Sequence, residues 1–244
     1  MIAQRWRKVL LGKPDTLKIL RCTNLKNTIH SSFNQVIHLD LVRTYPNDEW
    51  FTTHTKNLSN ILNLYAYTNN GMGYAQGMAF IVFILYKKFY NDDPDNACQD
   101  TFYSFHKIVN IIRPIYPLNG VDKSSTEFQD HLKHLIFFKI SRRNRNLANK
   151  LKQFPDLMSV IIYNNIPCLF ANKFSVEEST LLYDFIFTDE CSEMFHRVIC
   201  ILCAILISFE PIITSFTFDK VLEIIGVRDY YNVRKLLCIA YDLV

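Results

Sequence analysis

Residues 37–51 read IHLDLVRTYPNDEWF, which sets Asp40 and Arg43 three positions apart and then ends any helix at Tyr45-Pro46. Three positions make about one helical turn, so the carboxylate and the guanidinium can meet. Two chemistries fit that spacing. The plain one is a surface ion pair on a last turn, contributing about 0.3–0.5 kcal/mol. The other is an arginine kept for a partner's phosphate, because a guanidinium stays charged and forks onto phosphate oxygens. Further along, GYAQGM at 73–78 offers Gln76, whose amide donates and accepts without ionising. Its plain reading is a polar residue ahead of a buried helix.

Other chemistries lack their residues. The chain has no GxSxG, no Walker loop, no HExxH and no paired CxxC array, so catalysis by this chain alone is not expected. Its seven cysteines, at 22, 98, 168, 191, 200, 203 and 238, follow no disulfide spacing and lie mostly in apolar runs. They read as reduced thiols of a cytosolic protein. Cys200 and Cys203 have zinc-like spacing but sit in an apolar run with no second ligand pair, so no metal is expected.

The 244 residues are 49% apolar and 20% charged, which suits a globular protein with a substantial core. A net charge of +4 is too mild to announce nucleic acid, although a weakly basic helical module is one reading it leaves open. The cluster SRRNRN at 141–146 reads as a solvated helix end, with contact to acidic lipid or an acidic protein surface as the alternative. MIAQRWRKVL lacks the apolar core of a secretory leader. VICILCAILISF, 198–209, stops at Glu210-Pro211, short of the roughly 20 apolar residues a membrane span needs, and reads as a buried helix.

The elements that would position Arg43 and Gln76 are helical throughout. Residues 1–12 place Trp6, Val9 and Leu10 on one face and close on Gly12. Helical periods follow at 53–67, at 97–112, and in the nearly all-apolar 76–90, which should run through the centre of the fold. Ser124 with Glu127 and Ser175 with Glu178 are candidate capping boxes. The runs 194–209, 218–225 and 231–243 complete the set, and VIIYNNI at 160–166 is ambiguous in isolation. The expectation is an all-α fold in one continuous domain, 1–244, with a soft division into two packed halves near RPIYPLNGVDKSS, 113–125.

Read together and in order, IxxDxxR at 37–43 followed by Thr44 and Pro46, then Tyr74-Ala-Gln76 followed by Gly77 and Met78, resemble the TBC domain of Rab GTPase-activating proteins. MIAQRWRKVLLG resembles that family's opening segment, and PCLFANKFSVEESTLLYDFIF, 167–187, its third motif, with the motif's aspartate at Asp184. The resemblance implies that Arg43 is an arginine finger and Gln76 a glutamine finger, both acting on GTP held by a Rab-type GTPase. It implies that Asp40 orients Arg43, that Tyr74 fixes the Gln76 loop, and that Gly73 and Gly77 admit a partner's backbone. Thr44 and Asp184 become partner-binding residues. The chain would need no cofactor, because GTP and magnesium belong to the partner. It would act in the cytoplasm on vesicle traffic, touching endomembranes at most peripherally. A non-catalytic TBC adaptor that only binds a GTPase or a scaffold is the alternative. The sequence departs from the family at Ala75, where cysteine is usual, and at Asn165 and Tyr183, where tryptophan is.

Overall fold

The computed structural model describes residues 2–12, 31–69, 71–116, 123–188 and 190–244, with the side chains of 123–126 outside that description. Cys22, the Ser124 cap and most of the 113–125 division therefore fall outside it. Every regular element among the described residues is helical. The first set is α1 (Ile2–Leu11), α2 (Asn34–Arg43), α3 (Glu49–Thr68), α4 (Met78–Tyr90) and α5 (Ala97–Ile112). The second is α6 (Lys123–Arg143), α7 (Arg145–Gln153), α8 (Pro155–Asn165), α9 (Val176–Ile186), α10 (Met194–Ser208), α11 (Glu210–Ser215), α12 (Phe218–Gly226) and α13 (Val233–Tyr241). The ambiguous run at 160–166 lies mostly in α8, started by Pro155 at its first position.

Two apolar helices form the centres of the two sets. Helix α4 buries side chains around most of its circumference and packs on α2, α3 and α5 on one side and on α9 on the other. Helix α10 does the same against α6, α9, α11 and α13. The stretch Cys191–Ser208 is long and apolar enough to cross a membrane. Its apolar side chains from Val198 to Leu206 are nonetheless buried against neighbouring helices, as expected of a core helix. One buried cluster runs through both sets, from Ala3 to Ala240. The Ser175–Glu178 capping box is formed at the start of α9. Gly12, at φ 72°, closes α1, its N–H donating to the Lys8 carbonyl.

Helix α1 straps the two sets together. Trp6 is fully buried, with its ring edge-on to Phe187 at 5.3 Å and tilted against Tyr183 at 5.9 Å. Its indole N–H donates to Asp184 of α9 at 3.2 Å. The next residue, Arg7, faces the first set: Nε bonds Asp100 of α5 at 2.5 Å, while Nη1 pairs with Asp92. Trp6→Ala should therefore cost about 3–5 kcal/mol, the range for removing a large buried aromatic. Urea denaturation of the variant measures it, and a loss below about 1 kcal/mol would mean that α1 is not the strap.

Candidate functional site

Helix α2 turns Ile37, Asp40 and Leu41 inward and Gln35, Val36, His38, Leu39, Val42 and Arg43 toward solvent. Its start is pinned to α3 by Asn63, whose amide donates to Asn34 Oδ1 at 3.0 Å and accepts from the Ser31 hydroxyl at 2.8 Å. Its end is abrupt. Thr44 is extended, and Tyr45 follows in the left-handed region at φ 46°, a strained choice for a bulky residue. The Tyr45 ring packs on Phe80 and Phe83 of α4. Its hydroxyl donates to the Ala171 carbonyl at 2.9 Å. The chain then re-enters helix at Asp48, which caps α3 by accepting from the Phe51 N–H and pairs with Lys87 of α4.

The loop 73–77 lies against the buried side of α2. Asp40 is 3% exposed, and its Oδ2 accepts two hydrogen bonds, from the Tyr74 hydroxyl and from the Gly77 N–H at 2.9 Å. One carboxylate thus ties the helix bearing Arg43 to the loop bearing Gln76. Both of those side chains are exposed. Arg43 makes one bond to its own helix, Nε to the Leu39 carbonyl at 3.1 Å.

Beside Gln76 opens a cleft of about 420 Å³. Ala75, Gly77 and Phe80 line one side; Tyr163, Asn164 and Cys168 are among the residues lining the other. The second wall contains the stretch 166–174, two short 3-10 turns (Ile166–Cys168 and Ala171–Lys173) joined at Leu169-Phe170, and three tyrosines hold it. Tyr116 donates to the Pro167 carbonyl at 2.9 Å, Tyr183 to that of Cys168 at 3.5 Å, and Tyr45 to that of Ala171. Leu169 and Phe170 both adopt positive φ there, at 45° and 68°. Cys168 is no nucleophile despite lining the cleft: burial pushes its thiol up to about 12, which keeps it protonated. Among the described residues no group of His, Cys, Asp or Glu could hold a metal ion. The site can offer a partner the exposed Gln76 carboxamide at the cleft and, at the end of the helix that Asp40 ties to the Gln76 loop, an exposed guanidinium held by a single bond.

Residues 13–214 match the model of the Rab-GTPase-TBC domain family. The chain belongs to this family. Its fold resembles that of the crystal structure of the Ypt/Rab-GAP domain of Gyp1p, with a TM-score of 0.71 at 18% identity, over 99% of this chain and 79% of that one. No curated protein matches the sequence.

In this TBC domain several residues do other work than the resemblance implies. Asp40 does not orient Arg43; its carboxylate faces inward and is taken by Tyr74 and Gly77. Thr44 is fully buried, its hydroxyl donating to the Asp40 carbonyl at 2.8 Å, so it ends α2 and cannot meet a partner. Asp184 accepts from Trp6 and pairs with Arg5, which makes it an anchor for α1. The two loop glycines admit the chain's own atoms, not a partner's backbone. A Cβ on Gly73, at φ 63°, would lie 2.1 Å from the Phe33 ring, and one on Gly77, at φ 99°, would press on Cys168. Tyr74 is buried beneath the loop. Of the departures from the family pattern, Tyr183 fills its place with a fully buried ring on Trp6. Asn165 is buried with its amide donating to the Ile161 carbonyl. The sequence reading missed Tyr45, Tyr116 and Phe33; the only local signal was the aromatic residue between Thr44 and Pro46.

Asp40→Ala should strand two buried donors and cost about 2–5 kcal/mol, which chemical denaturation will measure. A value near zero would mean that the Tyr74 and Gly77 bonds contribute nothing. Alkaline pH tests the rest of the site. Burial raises the Tyr45 phenol to about 12 and also raises Tyr74, where the Asp40 charge adds to the effect. The folded pKa values of these phenols and of the Cys168 thiol lie above those of the unfolded chain, so this stability is whole below about pH 8.5 for the thiol and about pH 10 for the phenols. It is lost as pH rises toward 12, by about 1.4 kcal/mol per released proton per pH unit. Unfolding free energies measured from pH 8 to 11 should fall, and less steeply in Tyr45→Phe.

Proposed function

We propose that this TBC domain accelerates GTP hydrolysis by a Rab-type small GTPase, giving Arg43 to the phosphate and Gln76 to the attacking water. The observation that carries the reading is the pairing itself: two exposed polar side chains on separate elements, the elements being joined through the Asp40 carboxylate. Hydrolysis is slow without help because charge grows on the phosphate oxygens while the water is poorly held. Docking would detach the Arg43 guanidinium from the Leu39 carbonyl, an exposed bond that costs little to exchange, and place it on those oxygens. The Gln76 carboxamide would accept from the water and donate to the phosphate. Nucleotide and magnesium are the partner's, and the domain needs no cofactor of its own. Hydrolysis ends the GTPase's active state, so the domain would terminate a membrane-traffic signal on the cytoplasmic face of endomembranes.

The test is phosphate release from a panel of GTP-loaded Rab proteins. The unaltered domain should accelerate at least one of them by about a thousandfold or more, the range for a finger supplied in trans. Arg43→Ala should remove nearly all of that, and Gln76→Ala about a hundredfold or more of it. An adaptor would bind yet leave turnover the same in all three proteins, and that result would refute the proposal.

A further inference from the structure

The outer face of α2 is unusually apolar for a solvent-facing helix. Val36, Leu39 and Val42 are 48%, 53% and 61% exposed. At 3.6 residues per turn, Val36, Leu39 and Arg43 fall within an arc of roughly 60°, and Val42 widens it to roughly 120°. Single exposed aliphatic residues are ordinary, but three in succession on a ten-residue helix make a continuous stripe. Gln35, uncharged, falls within the wider arc at the start of the helix, His38 lies just beyond Val42, and Asp40, the one carboxylate of the helix, points inward. The face is therefore a largely apolar strip, with Gln35 at its start and Arg43 as its one always-charged group.

We infer that this stripe is the docking surface for the same GTPase, meeting an apolar patch of that partner beside its nucleotide. The inference rests on the reading of Arg43 as a finger and deepens it. Arg43 lies inside the arc of the stripe, and its guanidinium is drawn back along the helix to the Leu39 carbonyl. A body bringing phosphate to that guanidinium must cover Leu39 and its neighbours. A second copy of this chain fits the same surface poorly. An isologous contact through α2 would bury two arginines with no acidic side chain on either outer face of that helix. Burial of the stripe would hold the partner in register, so it should govern affinity and leave the chemical step to Arg43 and Gln76.

The experiment takes the Rab that the unaltered domain accelerates most and compares Leu39→Ser, Val42→Ser and the double variant, reading KM and saturating rate separately. Each single change should raise KM at least threefold and the pair at least tenfold, with the saturating rate within threefold of the original. Arg43→Ala should divide the other way, losing saturating rate with KM little changed. Unchanged melting temperatures establish that the variants are folded, as expected at exposed positions. Phe138→Ser on α6, equally exposed at 58%, is the control and should alter neither parameter. A KM within twofold of the original in the double variant, a loss confined to the saturating rate, or an equal effect of Phe138→Ser would overturn the stripe while leaving the two fingers standing. Failure of the unaltered domain to accelerate any Rab would overturn the finger reading and the stripe with it.

Discussion

The buried carboxylate of Asp40 is the constraint on which the site depends. Removing a carboxylate from water is costly unless its oxygens are satisfied, and here one oxygen takes a phenol and a backbone N–H from a loop more than thirty residues away. Hydrogen bonds to a charged, buried acceptor contribute about 1.5–3 kcal/mol each, several times what an exposed pair with Arg43 would give. The carboxylate therefore goes to the loop, and the arginine is left over. That outcome makes chemistry on a partner possible, since a guanidinium already engaged by Asp40 would have to break an ion pair before it could serve.

This same competition explains what the sequence could and could not tell. The helices were legible because their apolar positions recur at three and four, as in α5 with Phe102, Phe105, Ile108 and Ile112, all buried. The stops at Gly12 and at Tyr45-Pro46 were legible because backbone chemistry is local. Asp40 was misread because spacing along one helix reveals only the neighbour one turn away. The two positions differ by roughly 60° around α2, enough for one to face the core and the other solvent. Nothing nearby in sequence announces Tyr74 and Gly77 as rival donors. The glycines illustrate the same limit: their freedom was visible, but whether it served a partner or the Phe33 ring and Cys168 depended on distant residues.

Rigidity on the far side of the cleft has a separate origin. Residues 166–174 form no long helix, and two successive residues with positive φ, Leu169 and Phe170, cost about 1–3 kcal/mol each where no glycine relieves them. Such a stretch persists only when its surroundings over-determine it. The hydroxyls of Tyr45, Tyr116 and Tyr183 do so, each taking a carbonyl that a helix would otherwise have used. Tyr45 belongs to the turn that follows Arg43, so one side chain joins the turn after α2 to the opposing wall.

It follows that the mobile parts of the site are few. Tyr74, Asp40 and Gly77 are buried and bonded, and the Gly73 and Gly77 backbones are packed on by Phe33 and Cys168. Of the groups proposed to reach the nucleotide, the Arg43 side chain beyond its one bond and the Gln76 side chain are exposed. Ordering two side chains costs about 1.5–2 kcal/mol apiece at most, whereas ordering a loop costs about 1–2 kcal/mol for every residue of backbone. A partner arriving at this surface meets a loop already in place, so its binding energy can go into charge and water at the phosphate and not into assembling the site.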